Sequence, residues 1–301
     1  MKSRIIRGVS KNARFFVVNS TDVVQKALDI HHCSPTSIAA FGRLLTAGLI
    51  MGASLKGDDL LSLITHTDGP VNNMVVTANA KGQIKGYLSN PQKDLPLKAI
   101  TGQPDIENLI GKGSLRVIKD MGLKEPYVGL SEIQKGDIKS DMEYYYETSE
   151  QTPTIMELGI KLSEDKKTVK FAGGYMIQLF PGADKKFIAS IIEKMDAIRS
   201  VTELFEGGMD LERIVKLLYE DMSDEKLERV VEDYEILEER EVSYYCDCNK
   251  DKYYRGLITL GKKEILSLLE ELDGVIETQC QFCEKKYQFT KEDFKDLFED
   301  K

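Results

Sequence analysis

Short runs in which apolar and polar residues alternate, or in which β-branched and aromatic residues cluster, recur through the first 180 positions. SRIIRGV, ARFFVV, LLSLITHT and NNMVVTAN come first; SLRVIKD, EPYVGLSEI, IMELGIKLS and VKFAGGYMIQLF follow. Such runs predict strands. Lys81-Gly82, just ahead of QIKGYLSNP, reads as a hairpin turn. Helices are expected from Thr21 to about His32 and again from Pro35, with Ser34 as its cap, and a polar helix at DMEYYYETSEQ. Strands in hairpin succession with grouped helices predict an α+β layered fold, not a repeating βαβ unit.

After Phe180-Pro181-Gly182 the period becomes helical. Phe187, Ile188, Ile191, Ile192 and Met195 form one apolar stripe, and Ser200-x-x-Glu203 is a capping box ahead of Leu204 and Phe205. Gly207-Gly208 would stop that helix, and Leu211, Ile214, Val215, Leu218 and Met222 mark another. Helices this short need a surface on which to rest their apolar faces. Three regions are therefore expected: a mixed α/β layered domain at 1–180, an acidic helical linker at 181–245, and a small C-terminal domain at 246–301.

Composition narrows the classes of function. At 301 residues, 42% hydrophobic and 30% charged, the chain can bury two or three cores. The longest apolar run, Ile38 to Leu55, is interrupted by Arg43 and is shorter than the ~20 residues that span a bilayer, so it predicts a core helix and no membrane segment. MKSRIIRGVSKNARFFVV has no unbroken apolar core before a small-residue cleavage site, so no secretory signal is expected and a reducing, cytoplasmic setting follows. Net charge is -9, with 22 Lys and Arg against 19 Asp and Glu in residues 1–180, 9 against 18 in 181–245, and 10 against 13 in 246–301. An acidic total without a basic stripe argues against a nucleic-acid partner.

Four of the five cysteines fall in the last quarter, as Cys246-x-Cys248 and Cys280-x-x-Cys283, with 31 residues between the pairs. Two closely spaced pairs supply four thiolates to one tetrahedral Zn2+ without ordering a long loop. The three histidines, His31, His32 and His66, are remote in sequence, so the site would be all sulfur. A plain zinc staple predicts the same metal. Cys-x-Cys, however, is unusual in zinc ribbons, and a disulfide across Cys246 and Cys248 would close a small, strained, easily reduced ring, which suits a reversible switch. Oxidation would strip the metal of ligands, and a 56-residue module that depends on it should unfold.

Other chemistry finds little support. Cys33 in His31-His32-Cys33 reads as a half-buried thiol, because adjacent helical residues point in different directions. Gly111-Lys112-Gly113-Ser114 lacks P-loop spacing, and neither GxGxxG nor HExxH occurs. Tyr144, Tyr145 and Tyr146 read as partly core, not as a stacking platform.

The spacing CDC…QCQFC, with LGKKEI between, resembles the redox-regulated heat shock protein 33 family of bacterial holdase chaperones, also called the 33 kDa chaperonins. HTDGPVNNMVVTANAKGQIKGYLSNP, SLRVIKDMGLKEPYVG, YYYETSEQTP and AGGYMIQLFPGAD are similar to its N-terminal blocks, so the likeness covers nearly the full length. Asn72 and Asn73 fall where a more glycine-rich turn is expected. The resemblance implies a non-enzymatic protein that is inactive when reduced, with one Zn2+ on Cys246, Cys248, Cys280 and Cys283. It further implies that oxidants such as peroxide with heat, or hypochlorite, form Cys246–Cys248 and Cys280–Cys283 disulfides. Zinc is then released, the linker unfolds, and unfolded or partly unfolded clients are held without ATP. Residues 1–180 would bind substrate and dimerise, giving a homodimer when oxidised. The alternative is a thiol-disulfide oxidoreductase using Cys280-x-x-Cys283. That motif usually opens a helix of a thioredoxin-like unit, whereas GVIET precedes Gln279 here.

Overall fold

The first two expected strands, Arg4–Ser10 (β1) and Ala13–Asn19 (β2), form an antiparallel hairpin. The computed structural model describes residues 2–198, 200–219 and 232–298. After β2 come α1 (Thr21–His31), α2 (Pro35–Gly52), β3 (Leu60–Thr67), β4 (Asn73–Asn79), β5 (Gln83–Leu88), α3 (Ile106–Ile110), β6 (Gly113–Asp120), β7 (Tyr127–Glu132), α4 (Lys139–Ser149), β8 (Thr154–Leu162) and β9 (Val169–Leu179). Local signals act as expected: the Ser34 hydroxyl accepts the Ser37 N–H at the start of α2, and Gly82 takes φ +76 in the β4–β5 turn. Asn72 adopts φ +63, a left-handed conformation that asparagine tolerates better than other side chains, and so does the work of the expected glycine.

Two sheets sandwich α2, which packs against both. With β10 and β11 lying further along the chain, one sheet has the order β10-β1-β2-β9-β8 and the other β11-β5-β4-β3-β6-β7. The first core fills the space between them, and Phe41, Leu44, Leu45 and Ile50 of α2 lie wholly inside it. Among the described residues no helix is long and apolar enough to cross a membrane. In β2, Phe16 and Val18 face this core, while Phe15 and Val17 face a second core on the sheet's other side. Both faces of β2 and β9 are covered. That is why ARFFVV and VKFAGGYMIQLF read as almost unbroken apolar runs and not as alternation.

The second core is closed by α5 (Lys185–Ala197), α6 (Val201–Glu206) and α7 (Leu211–Tyr219), through Phe187, Ile191, Val201, Phe205, Leu211, Ile214, Val215 and Leu218. Ser200 caps α6 by accepting the Thr202 N–H at 3.2 Å, and Glu203 does not complete the expected box. Met222 lies outside the described residues. Two glycines let α6 sit close: a Cβ on Gly159 would come 2.7 Å from Val201 Cγ1, and one on Gly173 would come 2.5 Å from the Phe205 ring.

The stretch expected to be helical to residue 245 is corrected at its end. Tyr234–Glu241 (β10) and Ser243–Tyr244 (β11) are strands, β10 pairing antiparallel with β1 and β11 parallel with β5. YEILEERE carries the charge of an exposed helix, but the open edge of β1 offers backbone partners that outweigh local preference.

Residues 1–244 form one compact unit and 245–301 a second. The second contains α8 (Lys250–Ile258), α9 (Lys262–Glu271), the hairpin β12 (Val275–Gln279) and β13 (Lys286–Thr290), a 3-10 turn at Lys291–Phe294, and α10 (Lys295–Phe298). Among its described residues the buried core is Ile265, Leu269, Ile276, Tyr287, Phe289 and Phe294. A unit this small with six such residues is marginal on apolar burial alone.

Candidate metal centre

Cys246 and Cys248 lie on the approach to α8, whose N-cap Asn249 accepts the Lys252 N–H. That cap fixes the chain direction immediately after Cys248. Cys280 and Cys283 occupy the turn of the β12–β13 hairpin, where Cys280 N–H donates to Lys285 O at 3.0 Å and Glu284 N–H to Cys280 O at 2.7 Å. Glu284 closes the turn at φ +58. Two separate local structures thus each present two sulfurs.

The four Sγ atoms lie within 4.8 Å of one another. Cys246 and Cys280 are 3.7 Å apart and Cys248 and Cys283 3.2 Å, and none is in a disulfide. Sulfurs about 2.3 Å from a tetrahedral Zn2+ lie about 3.8 Å from each other. The donor set is soft, four in number and spaced for that ion, so Cys246, Cys248, Cys280 and Cys283 fit zinc.

Electrostatics around the cluster show why it favours a cation. Burial opposes ionisation of Cys280, but a hydrogen bond from Tyr253 and backbone N–H groups of Cys283 and Phe282 outweigh it and bring the thiol down to about 7. Burial pushes Cys283 up to about 11, with Cys248 adding to the rise, and raises Cys246 well beyond the ordinary thiol range, with Cys248 and Cys280 contributing. One sulfur ionises readily and its neighbours then resist. A divalent ion between them removes that conflict.

Two residues of the site were not legible in the sequence. The Tyr287 hydroxyl lies 3.2 Å from Cys248 Sγ, and Tyr253 stacks on Tyr287 with ring centroids 5.1 Å apart while its own hydroxyl serves Cys280. Nothing in the spacing of YY or KKY marks them, because hairpin register and the turn of α8 decide where the hydroxyls point. Cys33 is buried in the first unit's main core, deeper than the half-buried position expected for it. His31 Nε2 lies 3.0 Å from Gly86 O and 3.2 Å from the Tyr244 hydroxyl. Tyr145 and Tyr146 are core residues.

Comparison with known proteins now bears on this geometry. The family model described as Hsp33 protein matches residues 3–290. The chain belongs to the Hsp33 family. Proteins named 33 kDa chaperonin are 39% identical in Clostridium perfringens, across 100% of this chain and 93% of that protein, and 38% identical in Clostridium botulinum, across 99% and 98%. The crystal structure of a 33 kDa chaperonin (heat shock protein 33 homolog) from Thermotoga maritima superposes with a TM-score of 0.87 at 27% identity, covering 99% of this chain and 98% of that one. The α+β layers and the four-cysteine end are therefore those of an Hsp33 fold.

Proposed function

We propose that this Hsp33 protein is a redox-switched, ATP-independent holdase of the cytoplasm, inactive when reduced and active when its four C-terminal cysteines are oxidised. Family membership supports the chaperone function. The observation that carries the switch is the gathering of Cys246, Cys248, Cys280 and Cys283 within 4.8 Å, in a unit whose buried core numbers six residues. Zinc bound there would hold four thiolates deprotonated and cross-link the α8 approach to the hairpin. Thiolates are the form that oxidants attack, so the metal that braces the unit also keeps its sulfurs reactive. In the step proposed, one peroxide is consumed for each pair and takes two electrons from it. Cys246–Cys248 and Cys280–Cys283 bonds form, each peroxide O–O bond breaks, and its two oxygens leave as two waters after taking up two protons from solvent.

Loss of four ligands leaves the second unit short of stabilisation, and it unfolds. Residues 185–244 are then no longer followed by a folded unit. The apolar faces of α5, α6 and α7, together with Ile6, Phe15, Val17, Tyr175 and Ile177 beneath them, become surface on which unfolding clients bind, in a protein that is a homodimer when oxidised. The carboxylate excess of 181–245 keeps the opened segment soluble.

The test measures bound zinc and suppression of light scattering by a heat-aggregating client, before and after peroxide. Zinc should fall as suppression rises; suppression that is full in the reduced, zinc-loaded protein would sink the proposal. The low pKa of Cys280 also favours a second reading, a thiol-disulfide oxidoreductase. Its Cys280-x-x-Cys283 pair, however, sits in a hairpin turn between β12 and β13 and opens no helix. Insulin reduction separates the two, and no turnover is expected.

A further inference from the structure

The strand β10 is held in an unusual way. It pairs with β1 from Arg4↔Glu241 to Ser10↔Tyr234, with a bulge between Arg7 and Gly8, yet none of its eight residues is buried, and Ile236 and Leu237 are exposed. Tyr234 at its first position packs on Phe15 and Tyr219, and the rest of the strand is attached by backbone hydrogen bonding plus charge: Arg7 lies 2.7 Å from Glu238, Arg4 2.9 Å from Glu239, and Lys2 3.2 Å from Glu241. Arg4 also grips both carboxylate oxygens of Glu212 on α7 at 2.6 Å. Gly8 admits a close neighbour, since a Cβ there would stand 2.3 Å from Glu235 O. The β1 edge is thus shaped for a strand that brings carboxylates and little apolar surface.

We propose that the β1 edge, once β10 leaves it, is a docking site for extended client segments carrying carboxylates, which add to the sheet as its fifth strand in β10's place. Backbone pairing tolerates almost any side chain, as a holder of diverse clients requires, and an open sheet edge is a ready template for it. Lys2, Arg4 and Arg7 supply the preference, because departure of α7 and β10 removes Glu212, Glu238, Glu239 and Glu241 together. In the closed state β10 is the chain's own stand-in for a client. The inference rests on the proposed release of residues 185–244, and one arm of its test does without oxidation.

The probe is a fluorescein-labelled peptide of sequence YEILEERE, with two variants: one with its four glutamates changed to glutamine, one with proline at the positions of Ile236 and Glu239. Anisotropy is read on the full-length protein, reduced and zinc-loaded or peroxide-treated, and on a reduced full-length variant, Glu212→Gln/Glu238→Gln/Glu239→Gln, whose strap is weakened directly. The parent peptide should bind the oxidised protein and the reduced variant, and not the reduced wild type. The glutamine peptide should bind about tenfold more weakly, in keeping with a few exposed ion pairs, and the proline peptide should not bind, having lost ladder donors. Saturating parent peptide should also lower client holding. No binding to the strap variant, equal binding of the proline peptide, or full client holding under saturating peptide would each overturn the proposal. Binding to the variant with no response of the wild type to peroxide would uphold the edge site and strike the redox reading instead.

Discussion

The two units hold themselves together by different means. In residues 1–244 the helix α2 lies between two sheets with Phe41, Leu44, Leu45 and Ile50 fully inside, and a second core lies beyond the five-stranded sheet. On the proposed reading the α2 core stays buried whatever the redox conditions, and only the second core opens. Among the described residues of 245–301, six buried apolar side chains are enclosed by one hairpin, three helices and a 3-10 turn, and four sulfurs meet nearby. On the proposed reading, stability there depends on a ligand and can be withdrawn by chemistry. A condition-dependent unit joined to a permanent core is what a switch needs: the first can melt without taking the second with it.

Metal removal should separate the units most sharply. A structural zinc site of this kind contributes on the order of 10 kcal/mol, comparable to the stability of a domain. Chelation of the reduced protein, or Cys280→Ser with Cys283→Ser, should abolish amide protection in β12 and β13 while α2 and β3 stay protected. Hydrogen exchange reads both in one sample. Protected β12 and β13 in zinc-free protein would remove the distinction. The converse change is Phe41→Ala, which empties a fully buried site in α2. It should lower stability of the first unit by about 3–5 kcal/mol in denaturant titration and leave zinc affinity, read by chelator competition, where it was.

Sequence pattern carried much of this, unevenly. The β1–β2 and β4–β5 hairpins, the capped start of α2 and the two cysteine pairs are local signals, written in adjacent residues. α3 escaped because five residues capped by Asp105 give no period to detect. β10 escaped for a deeper reason: YEILEERE is extended because β1 lies beside it, and the partners Arg4 and Glu241 are at opposite ends of the first unit's sequence. The four cysteines were legible as one cluster, whereas Tyr253 and Tyr287 were not, since the turn of α8 and the hairpin register bring their hydroxyls to the sulfurs. Long-range pairing is the information a single sequence pattern omits.

Gly159→Val sharpens the comparison at the seam between the first unit's permanent core and its covering helices. Residue 159 is extended in β8, where valine is a better strand former than glycine, so the sheet should tolerate it. The added side chain, however, would meet Val201 and Thr202 of α6 at 2.7 and 2.8 Å from its first carbon. Overpacking of this kind costs about 1–3 kcal/mol, here borne by α6. Amide protection of 201–206 should fall selectively and client holding should begin at lower peroxide. Wild-type protection of α6 in the variant would show that Gly159 is not what lets it dock.

The smallest effect is expected at Tyr287→Phe. The ring is part of the second unit's core and stacks on Tyr253, so phenylalanine preserves packing and removes only the hydroxyl 3.2 Å from Cys248 Sγ. Loss of one outer hydrogen bond to a metal ligand typically weakens the metal about 10-fold or somewhat more, roughly 1.4 kcal/mol per decade. Chelator competition should show that loss with hydrogen exchange of β12 and β13 unchanged while zinc is saturating. If affinity is unaltered, the hydroxyl merely rests beside the sulfur. If β12 and β13 open even with saturating zinc, Tyr287 supports the small core more than the metal, and the second unit depends on its ligand less than its six buried residues suggest.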